Sequence, residues 1–274
     1  MTPLVRRGEV QRSRISAPTS RWSLRRLRSF GLLAALLLLW QYESTQVLPQ
    51  ETAVLLPPPT AIAVGAYELI VSGELWSHLL HSLKREFAAL LAALLAIPLG
   101  IAMGWWRGFN EQVYPVIEIL RPIPPIAWIP LSILWFGIGD IQNDFIIFLG
   151  MFFPILLNTI AGVKDVQQNL VRAARCLGAN QANVLTRVVL KAALPNIVTG
   201  IRIGLGTGWM ALVAAEIVGA NSGLGFLIND SRTVLRTDYV MVGMLTIGLA
   251  GLVIDRLVVA LSDRFLPWSG AMAR

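Results

Sequence analysis

Apolar stretches long enough to cross a lipid bilayer dominate this chain and leave it few folds to choose from. A hydrocarbon core takes about 20 residues of helix, and in lipid only a closed internal hydrogen-bond ladder satisfies every backbone amide. Six segments meet that need, at roughly 30–49, 87–106, 115–138, 145–163, 195–219 and 240–261. The third carries Pro115, Pro122, Pro124, Pro125 and Pro130, so a regular helix is not expected to run through it. With 55% hydrophobic and only 14% charged residues, the chain has too few charges for an ordinary soluble surface. The expected architecture is an all-α membrane protein of about six spans. It divides into a basic tail (1–29), a first span (30–49), an outside segment with an amphipathic helix through Trp76 and Leu80 (50–86), a helical core (87–266) and a short tail (267–274).

The net charge of +7 could point to nucleic acid, but Arg6, Arg7, Arg12, Arg14, Arg21, Arg25, Arg26 and Arg28 all precede the first apolar run. That placement suits membrane orientation better. A cytoplasmic N-terminus also puts Arg107, Lys164, Arg172, Arg175, Arg187, Lys191, Arg264 and Arg274 inside, and leaves Lys84, Arg85, Arg232 and Arg236 outside. Both termini are therefore expected in the cytoplasm, as in a multi-pass bacterial inner-membrane protein. Arg25 and Arg26 ahead of Phe30–Trp40 have the look of a signal peptide, yet the nearest A-x-A, at 61–63, lies beyond Pro57, Pro58 and Pro59, and an uncleaved anchor is expected. The single cysteine, Cys176, excludes an intrachain disulfide, and with only His78 and His81 beside it no metal site is expected.

Residues 173–204 interrupt the apolar pattern. Asn180, Asn183, Arg187 and Lys191 recur at helical spacing, with Leu177, Val184 and Val188 on another face. Gly178 would cost roughly 1 kcal/mol inside a continuous helix, so two short helices meeting at an angle are expected, with Pro195 starting the next span. A charged topological loop would account for the composition equally well. The pattern Arg172-Ala173-Ala174, Gly178, Val188 and Leu190, however, resembles the cytoplasmic loop shared by importer-type ABC permeases, between spans four and five here (about 164–194). Further stretches are similar to the permeases of nitrate, sulfonate, taurine and bicarbonate importers: "LRPIPPIAWIPL" (120–131), "WFGIGD" (135–140), "FFPILLNT" (152–159), "LPNIVTGIRIGLG" (194–206), "VAAEIVGANSGLGFLI" (213–228) and "RTDYVMVGMLTIGLAGLVIDRL" (236–257). Arg172 and Lys191 depart from the glutamate and proline usual at those positions of the family.

The resemblance implies a type I importer permease whose loop is a coupling helix seated in an ATPase cleft. It also implies two ATPase subunits that bind ATP and Mg, a second permease copy forming a homodimer, and a periplasmic or lipid-anchored substrate-binding protein. A small oxyanion is the implied solute, a sulfonate or taurine first, nitrate or bicarbonate next. Without the resemblance, six spans would serve a stand-alone anion channel or an ion-coupled carrier as well. No G-x-x-x-x-G-K-S/T and no G-x-S-x-G occurs, so neither ATP hydrolysis nor a hydrolase is expected of this chain, and it is not read as an enzyme.

Charges within spans are expensive and mark pathway or packing positions. Glu118 and Arg121, three apart, are expected to pair, while Arg202 is expected to snorkel. Arg121, Pro122, Pro124, Pro125 and Glu216 are the candidate pathway residues. Gly200, Gly204 and Gly208 make a flat ridge suited to helix packing, and the glycines of 221–228 suggest a re-entrant turn.

Overall fold

The structure, a computed structural model, describes residues 21–47, 49 and 55–265, and these form helices and turns with no strand. Arg6, Arg7, Arg12 and Arg14 of the basic tail and the tail 267–274 lie outside the described residues. Clustering of contacts separates two units, Met1–Thr60 and Ala61–Arg274. In the first, α1 (Arg21–Tyr42) ends in a π turn, Glu43–Val47, and the Gln41 side-chain amide both donates to the Thr60 hydroxyl and accepts from the Thr60 N–H, each at 3.2 Å.

The second unit holds α2 (Pro59–Val71, begun in the first), α3 (Glu74–Ala93), α4 (Ala96–Trp105), α5 (Arg107–Leu120), α6 (Ile129–Phe136), α7 (Asp140–Lys164), α8 (Gln168–Cys176), α9 (Gln181–Asn183), α10 (Leu190–Gly219), α11 (Leu224–Thr233) and α12 (Thr237–Phe265). Four helical stretches among the described residues are long and apolar enough to cross a membrane: Glu74–Trp105, Asp140–Lys164, Gln181–Gly219 and Thr237–Arg264. A fifth crossing is available to α5 and the pair Pro125–Phe136, which meet at 83°.

The expected span boundaries change at three places, each for a local reason. The crossing expected at 87–106 begins at Glu74, because α3 and α4 stack into one span. Pro98 has no N–H to offer the Leu94 carbonyl, and that carbonyl instead accepts from Ile97 at 3.0 Å, so the join is a tight turn and not a break. The segment expected at 115–138 is the bent pair, its corner built by Pro122, Pro124 and Pro125. Pro195, expected to start a span, lies inside α10, which continues a helical path begun at Gln181. The run in α1, apolar only from Phe30 to Trp40, is not among the four.

Helix α7 is the centre of the unit and packs most extensively against α10. Pro154 inside α7 leaves the Gly150 carbonyl without its usual i+4 donor, and the Thr207 hydroxyl of α10 supplies one at 2.7 Å. The expected glycine ridge forms part of this contact. A Cβ at Gly200 would lie 2.8 Å from Asn158 Cβ and 3.2 Å from Ile155 Cα, and one at Gly208 would lie 2.5 Å from Met151 Cε. Gly204 meets Ile155 in the same way. In a bilayer, where lipid tails are as apolar as leucine, such close backbone approach holds helices together by dispersion.

At one edge, Trp209 of α10 donates to the Ile247 carbonyl of α12 at 3.2 Å, and Arg202 grips Asp255 with two hydrogen bonds of 2.7 and 3.1 Å. Arg202 therefore has a partner on the neighbouring span instead of snorkelling alone. Across the unit, the Glu68 carboxylate of α2 accepts from the Tyr239 hydroxyl and from Arg236, and these two hydrogen bonds hold it below its ordinary pKa. The most apolar window of α12 is wholly unburied, as lipid would require of a helix at the periphery.

Valine at position 200 should lower the melting temperature of the detergent-solubilised protein by several degrees, since overpacking costs about 1–3 kcal/mol. Gly206→Val, where no atom lies within 4 Å of the added Cβ, should melt with the parent. Coincident melts for Gly200→Val and Gly206→Val would remove the packing role of the ridge.

Candidate functional site

Two constructions carry chemistry in the second unit: the amphipathic segment that follows α7, and a buried charge cluster among α3, α7, α10 and α11.

In the amphipathic segment, α8 ends where Gly178 takes a left-handed φ of +82°. The Ala179 N–H then reaches the Ala174 carbonyl at 3.1 Å and the Gly178 N–H reaches Arg175 at 3.0 Å, the paired bonds of a Schellman ending. Asn180 opens the next helix, its side-chain oxygen accepting the Asn183 N–H at 2.8 Å. The two-helix element expected from the glycine is present. Its buried face differs from the expected one. Leu177 is 89% exposed, and a π turn over Val184–Val189 adds one residue to the repeat, so Val184 and Val189, five apart, are buried while Val188 is half-buried. Val184 and Val189 join Val171, Val163, Ala193 and Ile197 in one apolar cluster, with Ala174 and Leu190 packed against it. Arg172, Ala173, Leu177 and Gly178 stay on the exposed side.

The charge cluster centres on Arg85 and Glu216. Arg85 Nη1 donates to Glu216 Oε1 at 2.8 Å and to the Ser222 carbonyl at 2.6 Å, while Nε and Nη2 both reach Asp140 Oδ1, at 2.9 and 2.6 Å. Glu216, fully buried, also accepts from the Ser82 hydroxyl at 2.8 Å and from the Gly225 N–H at 2.9 Å. That N–H belongs to the first turn of α11, whose free amides favour an anion. Two more of its amides are taken: Leu224 N–H donates to Ser82 Oγ at 2.9 Å and Gly223 N–H to His78 Nδ1 at 3.1 Å. The glycine-rich 221–228 is thus the N-terminal turn of a helix capped by side chains of α3 and α10.

The candidate pathway residues do not converge. Arg121, Pro122 and Pro124 are exposed and Pro125 is half-buried. Pro125 borders an apolar cleft of about 360 Å³ walled by Phe153, Pro154, Thr207 and Met210, and Glu216 is not on its lining. Glu118 and Arg121 are both exposed and form no ion pair among the described residues. Sequence reasoning missed Arg85, which it placed in an outside loop. The signal was present in Ser82, Arg85 and Glu86, which share one helical face leading directly into the apolar run from Phe87.

Residues 96–267 match the family of binding-protein-dependent transport system inner membrane components. The chain belongs to that family. It is 42% identical over 258 residues to the taurine transport system permease protein TauC of Escherichia coli, covering 91% of this chain and 93% of that one. It is 30% identical over 253 residues to the nitrate import permease protein NrtB of Synechocystis sp., covering 88% and 90%. In fold it is similar to an amino acid ABC transporter chain solved by crystallography, with a TM-score of 0.55 at 18% identity over 74% of this chain and 95% of that one. The chain is an ABC permease subunit of the inner membrane and not an enzyme; ATP is hydrolysed by a separate ATPase.

In this permease, removing one partner of the buried pair strands the other. Arg85→Met should cost about 3–5 kcal/mol, because Glu216 loses its cation in a medium without water. Asp140→Asn should cost under about 1 kcal/mol, since the Asp140 side chain is 63% exposed. Thermal unfolding of both variants in detergent checks the order, and a milder effect of Arg85→Met than of Asp140→Asn would contradict it.

Proposed function

We propose that this permease forms one half of a homodimeric pathway, driven by two ATPase subunits that hold ATP and Mg and fed by a periplasmic or lipid-anchored binding protein. Its termini lie in the cytoplasm, and its solute is a small oxyanion, a sulfonate such as taurine before nitrate or bicarbonate. Similarity to permeases named for taurine and for nitrate supports the solute class.

The segment from α8 through the π turn Val184–Val189 carries the reading. Its inner face is fastened to the membrane unit through Val171, Val184 and Val189, and its outer face presents Arg172, Ala173, Leu177 and Gly178. An element with one face anchored in a rigid body and the other free to dock transmits displacement without bending. Closure of ATPases against Leu177 would therefore move α7 and α10 together, and rocking of two such bodies alternates access to the path between them. Leu190 acts from behind, packing against the cluster, while Val188, half-buried, is not part of it.

Gly178→Leu should abolish ATP-driven uptake while the protein still reaches the membrane. A branched side chain at φ +82° costs about 1–2 kcal/mol and redirects Leu177. Normal uptake at normal expression would argue against coupling through this turn. Co-expression with a cognate ABC ATPase should give a complex that purifies intact and is lost when the exposed residues of 170–190 are altered. Uptake of radiolabelled taurine, competed by other sulfonates more strongly than by nitrate or bicarbonate, is the expected solute pattern; preferential competition by nitrate would reassign it.

A further inference from the structure

Between the end of α4, the end of α7 and the inner face of α8 lies an open cleft of about 690 Å³. Its wall alternates aromatic and cationic side chains: Trp105, Trp106 and Phe109 with Arg107, Lys164 and Arg175. We propose that this cleft binds the phosphate headgroup of an anionic phospholipid, and that the bound lipid joins the coupling segment to two membrane spans.

Position, charge and size each favour that ligand. Trp105 and Trp106 close the span Glu74–Trp105, at the level where tryptophan rings sit among headgroups, and Trp106 is 55% exposed. The cations are incompletely used. Arg175 has no side-chain partner among the described residues, and Lys164 has only a 3.4 Å contact with Asn110 Oδ1 and a position 6.0 Å from the Tyr114 ring centre. Arg107 shares its charge with Glu111 at 2.9 Å. Basic pockets between helices at a membrane surface recognise phosphate headgroups in this way. A free phosphate would fill only a small part of the volume, whereas a glycerophosphate headgroup would occupy more of it and reach the aromatic wall of Trp105, Trp106 and Phe109.

Two arginines of α8 differ in their relation to the cleft. Arg175, one turn beyond buried Val171, is on its lining, whereas Arg172, three residues earlier and exposed like Arg175, is not. A headgroup held by Arg175 from α8 and Lys164 from α7 would hold the coupling segment against the bilayer surface, making its docking position depend on lipid charge.

The test uses the full chain in detergent, titrated with phosphatidylglycerol or phosphatidylcholine and followed by thermal shift and native mass spectrometry. Phosphatidylglycerol should bind and stabilise, and phosphatidylcholine should not. Lys164→Gln and Arg175→Gln should each weaken phosphatidylglycerol binding about five-fold, whereas Arg172→Gln, the same charge change on the same helix, should leave it unaltered. Melting of each variant without lipid separates lost binding from lost folding, and Arg175→Lys should retain most of the affinity. Equal binding of both lipids, or equal loss in Arg172→Gln and Arg175→Gln, would overturn the site. Displacement by millimolar inorganic phosphate would assign the cleft to a free anion and overturn the lipid as its occupant.

Discussion

A buried ion pair fixes how the ends of four helices meet. Arg85 and Glu216 are withdrawn from solvent, and each costs several kcal/mol to bury unless its hydrogen-bonding capacity is filled. The surrounding geometry follows from that demand. Ser82 must face Glu216, the chain must turn at Ser222 to bring a carbonyl to Arg85, and α11 must begin where its Gly225 amide meets the carboxylate. Such a pair adds little net stability over a well-packed apolar contact, but it penalises every other register of α3 against α10. In lipid, where van der Waals packing and interhelical hydrogen bonds drive association, that penalty adds to packing in selecting a single arrangement of α3 against α10.

The same need to leave no backbone group unpaired explains the permitted irregularities. Proline inside α7 is tolerated because Thr207 of the neighbouring span replaces the missing donor, and that replacement also sets the height of α10 against α7. The glycines at 200, 204 and 208 then allow the close approach that the hydroxyl contact requires. At the proline corner between α5 and α6, where Pro122, Pro124 and Pro125 fall within four residues, the helix stops and turns.

How much was legible in the sequence depended on whether the signal was local. Spans such as α7 and α12 follow from apolar run length, and the break at Gly178 follows from the intrinsic cost of glycine in a helix. The π turn at Val184–Val189 changed which valines are buried, and a regular 3.6-residue repeat cannot anticipate an added residue. Arg85 was misplaced for a related reason. A charge beside Lys84 and Glu86 looks solvated until its partners are known, and those partners, Asp140, Glu216 and Ser222, come from segments far along the chain. Conversely, Glu118 and Arg121 satisfy the helical spacing for a pair, yet both are exposed at the proline corner, where geometry and not spacing decides.

The charge cluster and the amphipathic segment proposed to couple to the ATPases stand toward opposite ends of α7 and α10, and the glycine-tight contact lies between them. That arrangement has a mechanical consequence. A helix pair whose backbones meet at Gly200 and Gly208, with Thr207 bonded across to Gly150, has no slack in which one helix can shift alone. A push received at Val171 and Val189, as the proposed coupling requires, would therefore be carried along both helices to the Arg85–Glu216 end as motion of a single body. The α5–α6 corner and α12 lie to the sides of this body, α12 fastened to it by the Trp209 and Arg202 contacts.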